Sequence, residues 1–501
     1  MKFKKHRILT LVLSIVMTVS LFMSSAQATG FTAMIAQGNT TDVGDCKAVF
    51  SWLKQVPNGN TYTIYNEGWL YNNGNSYAVT TRATAQNLID AGSRDVLYWS
   101  GHGASNPLRL NVNATVTGGT YSTINIPSTL QVNTSNWANT CVWNKNTNLK
   151  AVFFAACSVL DNTYDECKYL ARAMKASNVR VIAGYHMTSP THPTDTNIAN
   201  SFFSNAANNG VSGGESIRSA WQTANELNNA SANWAVLCFK ENYNQYYRVP
   251  GFPGNTYTAP SSTAAVYRFW SNYKDPTGGQ PMATLSASGN SNLPLELRIV
   301  DSISADYSSL KGKLQSAKDS ELFVARELDD SANMTSNVLD ADALQRIAEV
   351  YINTAFKNKI LLLNTIKTVG TISCEEIDED TGVVPNSETV VGKTFCYSNQ
   401  YNGIRIEDNF VKVGTDVSGI YFVANKWKSI EAAGQRTLQD INMLTLAEAV
   451  QAALGSQNNT SVISHEMVYA PTNGDIYRLC YKLVLSDGTT TYIDCESGVA
   501  Y

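Results

Sequence analysis

Two short apolar runs, each followed at once by a reactive side chain, decide the fold of this chain. Residues 94–103 read RDVLYWSGHG and residues 150–157 read KAVFFAAC, while a third apolar run, VRVIAG, covers residues 179–184. Continuous apolar runs of this length are typical of parallel strands that are covered on both faces. Because the carboxyl ends of parallel strands meet at one edge of a sheet, we expect His102 and Cys157 to lie close together.

The segments that follow the second and third runs show helical periodicity. In 165–176 four apolar side chains share one face at the i, i+3, i+4, i+7 spacing: Cys167, Leu170, Ala171 and Met174. Further helices are predicted near 195–208 and 215–228. Strand–helix–strand units with right-handed crossovers give an open α/β sheet. We therefore predict an α/β domain whose mostly parallel sheet is sandwiched by helices.

His102 and Cys157 together suggest the chemistry of a nucleophilic thiol. A thiol attacks as its thiolate, and a nearby imidazole favours that form. The glycines on either side of His102 let a substrate backbone approach closely. The backbone N–H groups of Gly103 and Cys157 are candidates to stabilise a developing oxyanion. The alternative is that Cys157 is a buried structural thiol and His102 a loop histidine with an ordinary hydrogen bond.

This pattern resembles the caspase-like cysteine peptidases of clan CD, which include caspases, gingipains, clostripain, separase and the bacterial CHAT proteins. The resemblance rests on strand–Ser-Gly-His-Gly, on strand–Ala-Ala-Cys 55 residues later, and on the following order of helices and strand. Caspases place their histidine about 50 residues before the cysteine. The resemblance covers about residues 90–240. It implies that Cys157 is the nucleophile, that His102 is the general base or acid, and that Gly103 and Cys157 donate the oxyanion-hole N–H groups. The implied reaction cleaves a protein or peptide substrate through an acyl-enzyme thioester and needs no cofactor.

The sequence gives less information about substrate choice. Position 155, two residues before Cys157, is alanine, whereas relatives that cleave after basic residues often carry an acid there. The stretch YHMTS at 185–189 follows the third apolar run, which makes His186 a candidate for substrate contact in the cleft. Neither His186 nor His192 has a metal partner at a recognisable spacing, so we expect no zinc site.

The first residues predict export from a bacterial cell. MKFKKHR is a basic start, ILTLVLSIVMTVSLFM is an apolar run, and Ala-Gln-Ala at 26–28 is a small-x-small cleavage site. We therefore predict a signal peptide over residues 1–28 and a secreted, extracellular protein. An uncleaved membrane anchor is the alternative. No later run reaches the roughly 18 apolar residues that a membrane-spanning helix needs, so we expect no stable anchor after cleavage.

Composition predicts two different halves. The chain has 501 residues of which 44% are hydrophobic, which is enough for real cores and excludes a wholly disordered protein. Its net charge of −4 argues against a nucleic-acid-binding surface. Residues 29–280 carry 16 bases and 13 acids, a net charge of +3, whereas 281–501 carry 17 bases and 28 acids, a net charge of −11. With the Gly/Pro/Ser-rich stretches, this shift predicts a peptidase domain at 29–250, a loop or linker at 251–292 and a second domain at 293–501.

The second half predicts an α+β domain with antiparallel hairpins. A helix at 445–454 precedes strands at 464–470, 476–485 and 489–495. Four stretches here are similar to PepSY-type modules of secreted bacterial protease propeptides: NQYNGIRIEDNFVKVGTDVSGIYFV, AEAVQAAL, VYAPTNGDIYRLCYKLVL and TTYIDCESGVAY. The resemblance spans 385–501 and implies a regulatory or inhibitory module, although here the module follows the enzyme domain. Its acidic charge makes intramolecular docking on the first domain a further expectation.

Nine cysteines are an odd number, so at least one has no intramolecular disulfide partner. With 487–488 as a two-residue turn, Cys480 and Cys495 face each other across a hairpin and predict a disulfide. The next candidate pair is Cys374 with Cys396. If Cys157 is the nucleophile that stays reduced, four cysteines remain in each half.

Two further hypotheses stand beside the peptidase: one is an alternative to it, and the other is an additional activity of the same nucleophile. The first is a non-catalytic secreted binding protein on the same scaffold, with its partner bound by the aromatic, Asn-rich loops at 60–78 and 241–260. The second is that the chain cleaves itself in the linker at 251–292.

Overall fold

The computed structural model describes the chain in a series of segments. These are residues 31–37, 43–55, 62–67, 70–71, 77–78, 91–101, 109–110, 115–116, 119–120, 124–125, 148–161, 166–191, 193–207, 214–229, 233–240, 247–252, 264–274, 292–317, 320–328, 341–356, 365–455, 461–472, 475–485 and 490–501. The predicted signal peptide, His102, Gly103 and His192 lie outside the described residues. In the first of the two loops proposed for partner binding, residues 62–67, 70–71 and 77–78 form strands, so the prediction of a loop is wrong there. Of the second loop, the structure describes residues 247–252.

The described part of the first half is built on five parallel strands. They are β1 Phe31–Gln37, β2 Tyr62–Glu67, β3 Val96–Ser100, β4 Ala151–Ala155 and β5 Val181–Tyr185. In space they follow the order β2-β1-β3-β4-β5, and every neighbouring pair is parallel. The three strands predicted from the apolar runs are thus confirmed, and they are direct neighbours in the sheet.

Both faces of this sheet are buried. In β4, Phe153 belongs to the core on one face and Phe154 to the core on the other, and in β3 Tyr98 and Trp99 divide in the same way. Successive side chains of a strand point to opposite faces, so a strand covered on both sides needs an unbroken apolar run. This explains why these strands show no alternation of apolar and polar residues.

Among the described residues of the first half, four helices cover the sheet. They are α1 Gly44–Leu53, α2 Glu166–Ala176, α3 Thr194–Ala207 and α4 Ile217–Asn228. Residues of α1, α3 and α4 share one core, in which Phe153 contacts Phe202 and Trp221. Helix α2 packs on the opposite face through Leu170 and Met174. The three predicted helices are therefore confirmed, each with its ends within two residues of the prediction.

The sheet continues from the first half into the second. Strand β6, Trp234–Phe239, runs antiparallel to β5, and β7, Val266–Lys274, runs antiparallel to β6. The other edge of β7 pairs along its whole length with strand Thr365–Asp378. Composition predicts a linker that includes residues 264–274, and that prediction is wrong because Val266–Lys274 is a strand of the sheet. The Gly- and Pro-rich flanks dominate the composition there, but VYRFWSNYK between them buries apolar and aromatic side chains.

The second half is mainly antiparallel. Its elements are β8 Glu296–Ser302, β9 Lys313–Ala317, β10 Ser320–Val324, α5 Ala341–Ala355, β11 Thr365–Asp378, β12 Thr389–Tyr401, β13 Ile404–Asp416, β14 Gly419–Asn425, β15 Lys428–Ala432, α6 Leu446–Leu454, β16 Val462–Pro471, β17 Ile476–Leu485 and β18 Thr490–Asp494. Strands β11 to β14 form one meander, extended by β10 and β9, and β16 to β18 form another, joined by β8 and β15. The chain is thus a mixed α/β protein built on one large sheet, and the predicted antiparallel hairpins are present.

Buried ion pairs join the two halves. Lys412 on β13 donates from Nζ to Glu226 Oε2 on α4 at 2.9 Å, and both side chains are fully buried. Arg268 on β7 and Glu375 on β11 form a second pair, with 2.7 Å between Nε and Oε1 and 2% exposure on each side. The turn after β11 also forms ion pairs with α2 at the surface. The second half therefore packs on the first through specific polar contacts as well as through the shared sheet.

The C-terminal hairpin overturns the predicted disulfide. Cys480 lies opposite Asp494, one position away from the register that a two-residue turn at 487–488 would give. A shift of one residue turns every side chain of a strand to the other face. Cys480 and Cys495 consequently belong to different apolar clusters, and both are free thiols.

The other candidate pair is separated along the sheet. In the ladder of β11 and β12, Cys374 lies opposite Thr389, whereas Cys396 lies opposite Thr368. Six residues of strand span roughly 20 Å, and a disulfide needs Cα atoms within about 7 Å. The prediction that Cys374 pairs with Cys396 is therefore wrong.

Candidate active site

The carboxyl ends of the central strands meet at one edge of the sheet. Ser100 at the end of β3 lies opposite Ala155 at the end of β4, and the Gly101 N–H donates to the Ala155 carbonyl at 3.1 Å. Cys157 follows Ala155 by two residues, and Gly101 directly precedes His102 in the sequence. Segments 94–101 and 150–157, which the sequence singled out, therefore end side by side.

A tight turn holds Cys157 just beyond β4. Ser158 has a φ of 55°, in the left-handed region that a residue with a Cβ rarely adopts. This conformation costs about 1–2 kcal/mol, so neighbouring bonds must stabilise it. The Ser158 N–H donates to the Met187 carbonyl at 2.7 Å, and the Leu160 N–H donates to the Tyr185 carbonyl at 2.9 Å. The loop after β5 therefore fixes the turn after β4.

The Cys157 sulfur accepts a hydrogen bond from the Ser189 backbone N–H, with 3.2 Å between nitrogen and sulfur. A donor directed at the sulfur favours the thiolate over the thiol. Cys157 is a partly exposed thiol, whereas the other seven cysteines of the described residues are buried. This thiol therefore combines the access and the polar contact that a nucleophile needs.

Burial makes the other thiols of the described residues less suited than Cys157 to act as a nucleophile. It raises the pKa of Cys46, Cys396 and Cys480 above the ordinary value, and it raises the pKa of Cys495 to about 12. A thiol with a raised pKa holds very little thiolate at neutral pH. Within the part of the chain that the structure describes, Cys157 is therefore the candidate nucleophile.

The predicted partners of Cys157 fall just beyond the described residues. The described segment ends at Gly101, one residue before His102, and Gly103 follows. The assignment of His102 as general base or acid, and of the Gly103 and Cys157 N–H groups as the oxyanion hole, stays a prediction.

His186 lies next to the turn that holds Cys157, but its ring bonds to strand β7. Its Nε2 is 2.6 Å from the carbonyl oxygen of Ser271, and its backbone N–H donates to the Asn233 carbonyl at 3.2 Å. Burial lowers the pKa of His186 to about 4, partly offset by the bond to Ser271. At neutral pH the ring is therefore uncharged and donates its Nε2 hydrogen to Ser271. Contact between His186 and substrate stays a prediction.

We expect His186 to make stability depend on pH. In the unfolded chain its pKa returns to about 6.5, whereas in the folded protein burial holds it at about 4. As the pH falls below about 6.5 the unfolded chain gains a proton that the folded protein does not, so the folded protein loses stability. We expect this residue to lower the free energy of unfolding by about 1–3 kcal/mol between about pH 7.5 and 4.5. His186→Gln keeps a donor for Ser271, and denaturant unfolding should show a flatter pH dependence in this variant. If the free energy of unfolding depends on pH equally in the wild type and in His186→Gln, the prediction is wrong.

Sequence reasoning missed a polar cluster behind this edge. The Tyr98 hydroxyl donates to Asp45 Oδ2 at 2.9 Å, and the Cys46 thiol donates to Gln37 Oε1 at 3.0 Å. All four side chains are buried. An acid in the first turn of a helix is expected as a favourable charge at the helix N-terminus, so no pattern in the sequence indicates that Asp45 is buried. The cluster joins the start of α1 to the end of β1 and to the middle of β3.

Two further contacts of the site were also unforeseen. The donor on Cys157 is the backbone of Ser189, which no residue type could reveal. Arg268, which binds the turn after β4, falls in the segment that was predicted as a linker. The apolar context of VYRFW was the one signal that could have identified a strand there.

Among the described residues, no group of three or more His, Cys, Asp and Glu side chains could hold a metal ion. Within the same segments, no helix has both the length and the apolar character that crossing a membrane requires. No family model matches the chain, and no curated protein matches it significantly. The case for a function therefore depends on the geometry around Cys157.

Proposed function

We propose that this chain is a secreted cysteine endopeptidase with a caspase-like catalytic unit, in which Cys157 is the nucleophile and His102 the general base or acid. The observation that carries the proposal is the accessible Cys157 thiol, which sits in a strained turn at the end of a central parallel strand and accepts the Ser189 N–H. Five parallel strands covered by helices on both faces agree with the fold that the sequence resemblance implies.

In the proposed reaction the Cys157 thiolate attacks the carbonyl carbon of the scissile peptide bond. The N–H groups of Gly103 and Cys157 stabilise the negative charge that develops on the carbonyl oxygen. The protonated His102 gives its proton to the leaving amine, the C–N bond breaks and a thioester remains on Cys157. Neutral His102 then takes a proton from water as the water attacks the thioester, which releases the acid product and restores the thiolate and the imidazolium. These steps need no cofactor.

The second half is proposed to regulate this unit. Residues 385–501 resemble PepSY-type modules, and the second half contacts α4 and β7 through buried ion pairs. Such contacts give it a route by which it acts on the peptidase unit in the same chain.

Digestion of a mixed peptide library by the secreted, full-length product tests the proposal. We expect cleavage with a consistent residue before the cut, and loss of cleavage after treatment with iodoacetamide. No cleavage, together with a Cys157 that iodoacetamide does not modify, would contradict the peptidase and favour the non-catalytic binding protein.

A further inference from the structure

Arg268 lies on β7 with its guanidinium between the two halves of the molecule. Its Nη1 donates to the carbonyl oxygen of Leu160 at 2.7 Å, and its Nε lies 2.7 Å from Glu375 Oε1. The guanidinium also stacks on Trp270, with 4.2 Å to the ring centroid. Arg268 and Glu375 are each 2% exposed, so the pair is screened from water.

Leu160 belongs to the turn that carries the candidate nucleophile. It is fully buried and lies three residues after Cys157. Its N–H donates to Tyr185 and its carbonyl accepts from Arg268, so it is bound on both sides. Because Ser158 has an unfavourable φ, the turn keeps its shape only while such bonds hold it.

We propose that Arg268, held in place by Glu375 of the second half, is a positioning residue that fixes the Cys157 turn for nucleophilic attack. The inference rests on the proposed peptidase function. Loss of the Leu160 contact lets the turn relax and moves the sulfur relative to its donor, Ser189. A displacement of about 1 Å at a reacting atom can cost about 100-fold in rate.

The arrangement also gives the second half a share in catalysis. Glu375 lies on β11, beyond the boundary that composition predicts between the two domains. The planar guanidinium of Arg268 reaches the Glu375 carboxylate through Nε and the Leu160 carbonyl oxygen through Nη1, whereas a lysine offers a single nitrogen for both positions. Strand β11 is hydrogen-bonded to the sheet of the catalytic unit through β7. Through Glu375 it also contributes to the function of that unit.

Arg268→Lys in the full-length chain tests this inference, because the variant keeps the charge that Glu375 needs but not the fork that reaches Leu160. We expect kcat for a cleaved peptide to fall about 10- to 100-fold with KM unchanged, because positioning acts on the transition state. The pH midpoint of Cys157 alkylation by iodoacetamide should also rise, since the Ser189 bond to the thiolate weakens. Arg298→Lys, at an arginine that is 60% exposed, is the matched control and should change neither quantity.

Glu375→Gln is nearly isosteric and tests the Arg268–Glu375 pair if Arg268→Lys does not fold. This variant should also lower kcat, but by a smaller factor than Arg268→Lys. The inference is wrong if kcat and the pH midpoint of Cys157 alkylation stay at their wild-type values in these variants. This holds even if the variants are less stable or have a higher KM. A wild-type chain that neither cleaves peptide nor reacts at Cys157 overturns the proposed function as well. The wild-type measurement therefore shows whether the peptidase function fails or only the positioning role of Arg268.

Discussion

Cys157→Ala is expected to abolish peptide cleavage, and His102→Ala to lower kcat/KM about 100- to 10,000-fold. Without the sulfur no thioester forms, whereas without the imidazole the thiolate remains but the leaving amine and the water lose their proton donor and acceptor. Initial rates on a single cleaved peptide measure both effects. Because the two residues act as a unit, the double variant should be no less active than Cys157→Ala alone.

Cys480→Ala is the matched control for this prediction. Cys480 is fully buried in the second half and its pKa is raised by burial, so removal of its thiol should leave kcat unchanged. Equal activity in Cys157→Ala and in the wild type would rule out the assigned nucleophile. Unchanged activity in His102→Ala alone would leave Cys157 as nucleophile but remove His102 from the mechanism.

Lys412→Met is expected to lower the free energy of unfolding by about 3–5 kcal/mol, because it leaves the buried Glu226 carboxylate without its cation. Glu226 also accepts from Trp234 Nε1 at 2.9 Å and from the Tyr273 hydroxyl, but neither donor carries a charge. Lys412 Nζ lies 4.8 Å from the centre of the Tyr273 ring, so the variant also loses a cation–π contact. Denaturant unfolding of the full chain measures the loss.

Two variants distinguish the loss of the buried ion pair from the loss of any surface lysine. Lys367 pairs with Glu349 at 2.8 Å, but the side chains are 27% and 34% exposed. Lys367→Met should therefore cost no more than about 1 kcal/mol. The double variant Glu226→Gln with Lys412→Met removes both charges and should recover much of the stability that Lys412→Met loses. A loss in Lys412→Met as small as that in Lys367→Met would show that the pair does not stabilise the contact between the halves.

The parallel strands and their helices could be predicted because burial of these elements requires recognisable apolar patterns in their sequences. A strand covered on both faces needs a continuous apolar run, as in VLYWS and AVFFA, and a covering helix needs an apolar stripe, as in α2. Strand β7 was missed because its flanks carry the composition of a loop. The register of the β17–β18 hairpin was missed because Asp-Gly suggested a two-residue turn, and an error of one residue reverses both faces.

The candidate site was only partly predictable for a similar reason. The position of Cys157 at a strand end follows from local sequence, and its partial exposure agrees with the role assigned to it. The contacts that shape its surroundings come from distant parts of the chain. Ser189 contributes a backbone group, and Arg268 reaches Leu160 only because β7 and β11 extend the sheet across both halves. No local pattern records such contacts.

The central claim is that Cys157 is a reactive nucleophile, and covalent labelling tests it most directly. The full-length protein is treated with a peptidyl acyloxymethyl ketone at neutral pH, and intact mass followed by peptide mapping locates the adduct. We expect a single adduct, on Cys157, that is absent from Cys157→Ala and forms more slowly in His102→Ala. A native protein that takes up no label, or takes it up equally in Cys157→Ala, would contradict the claim.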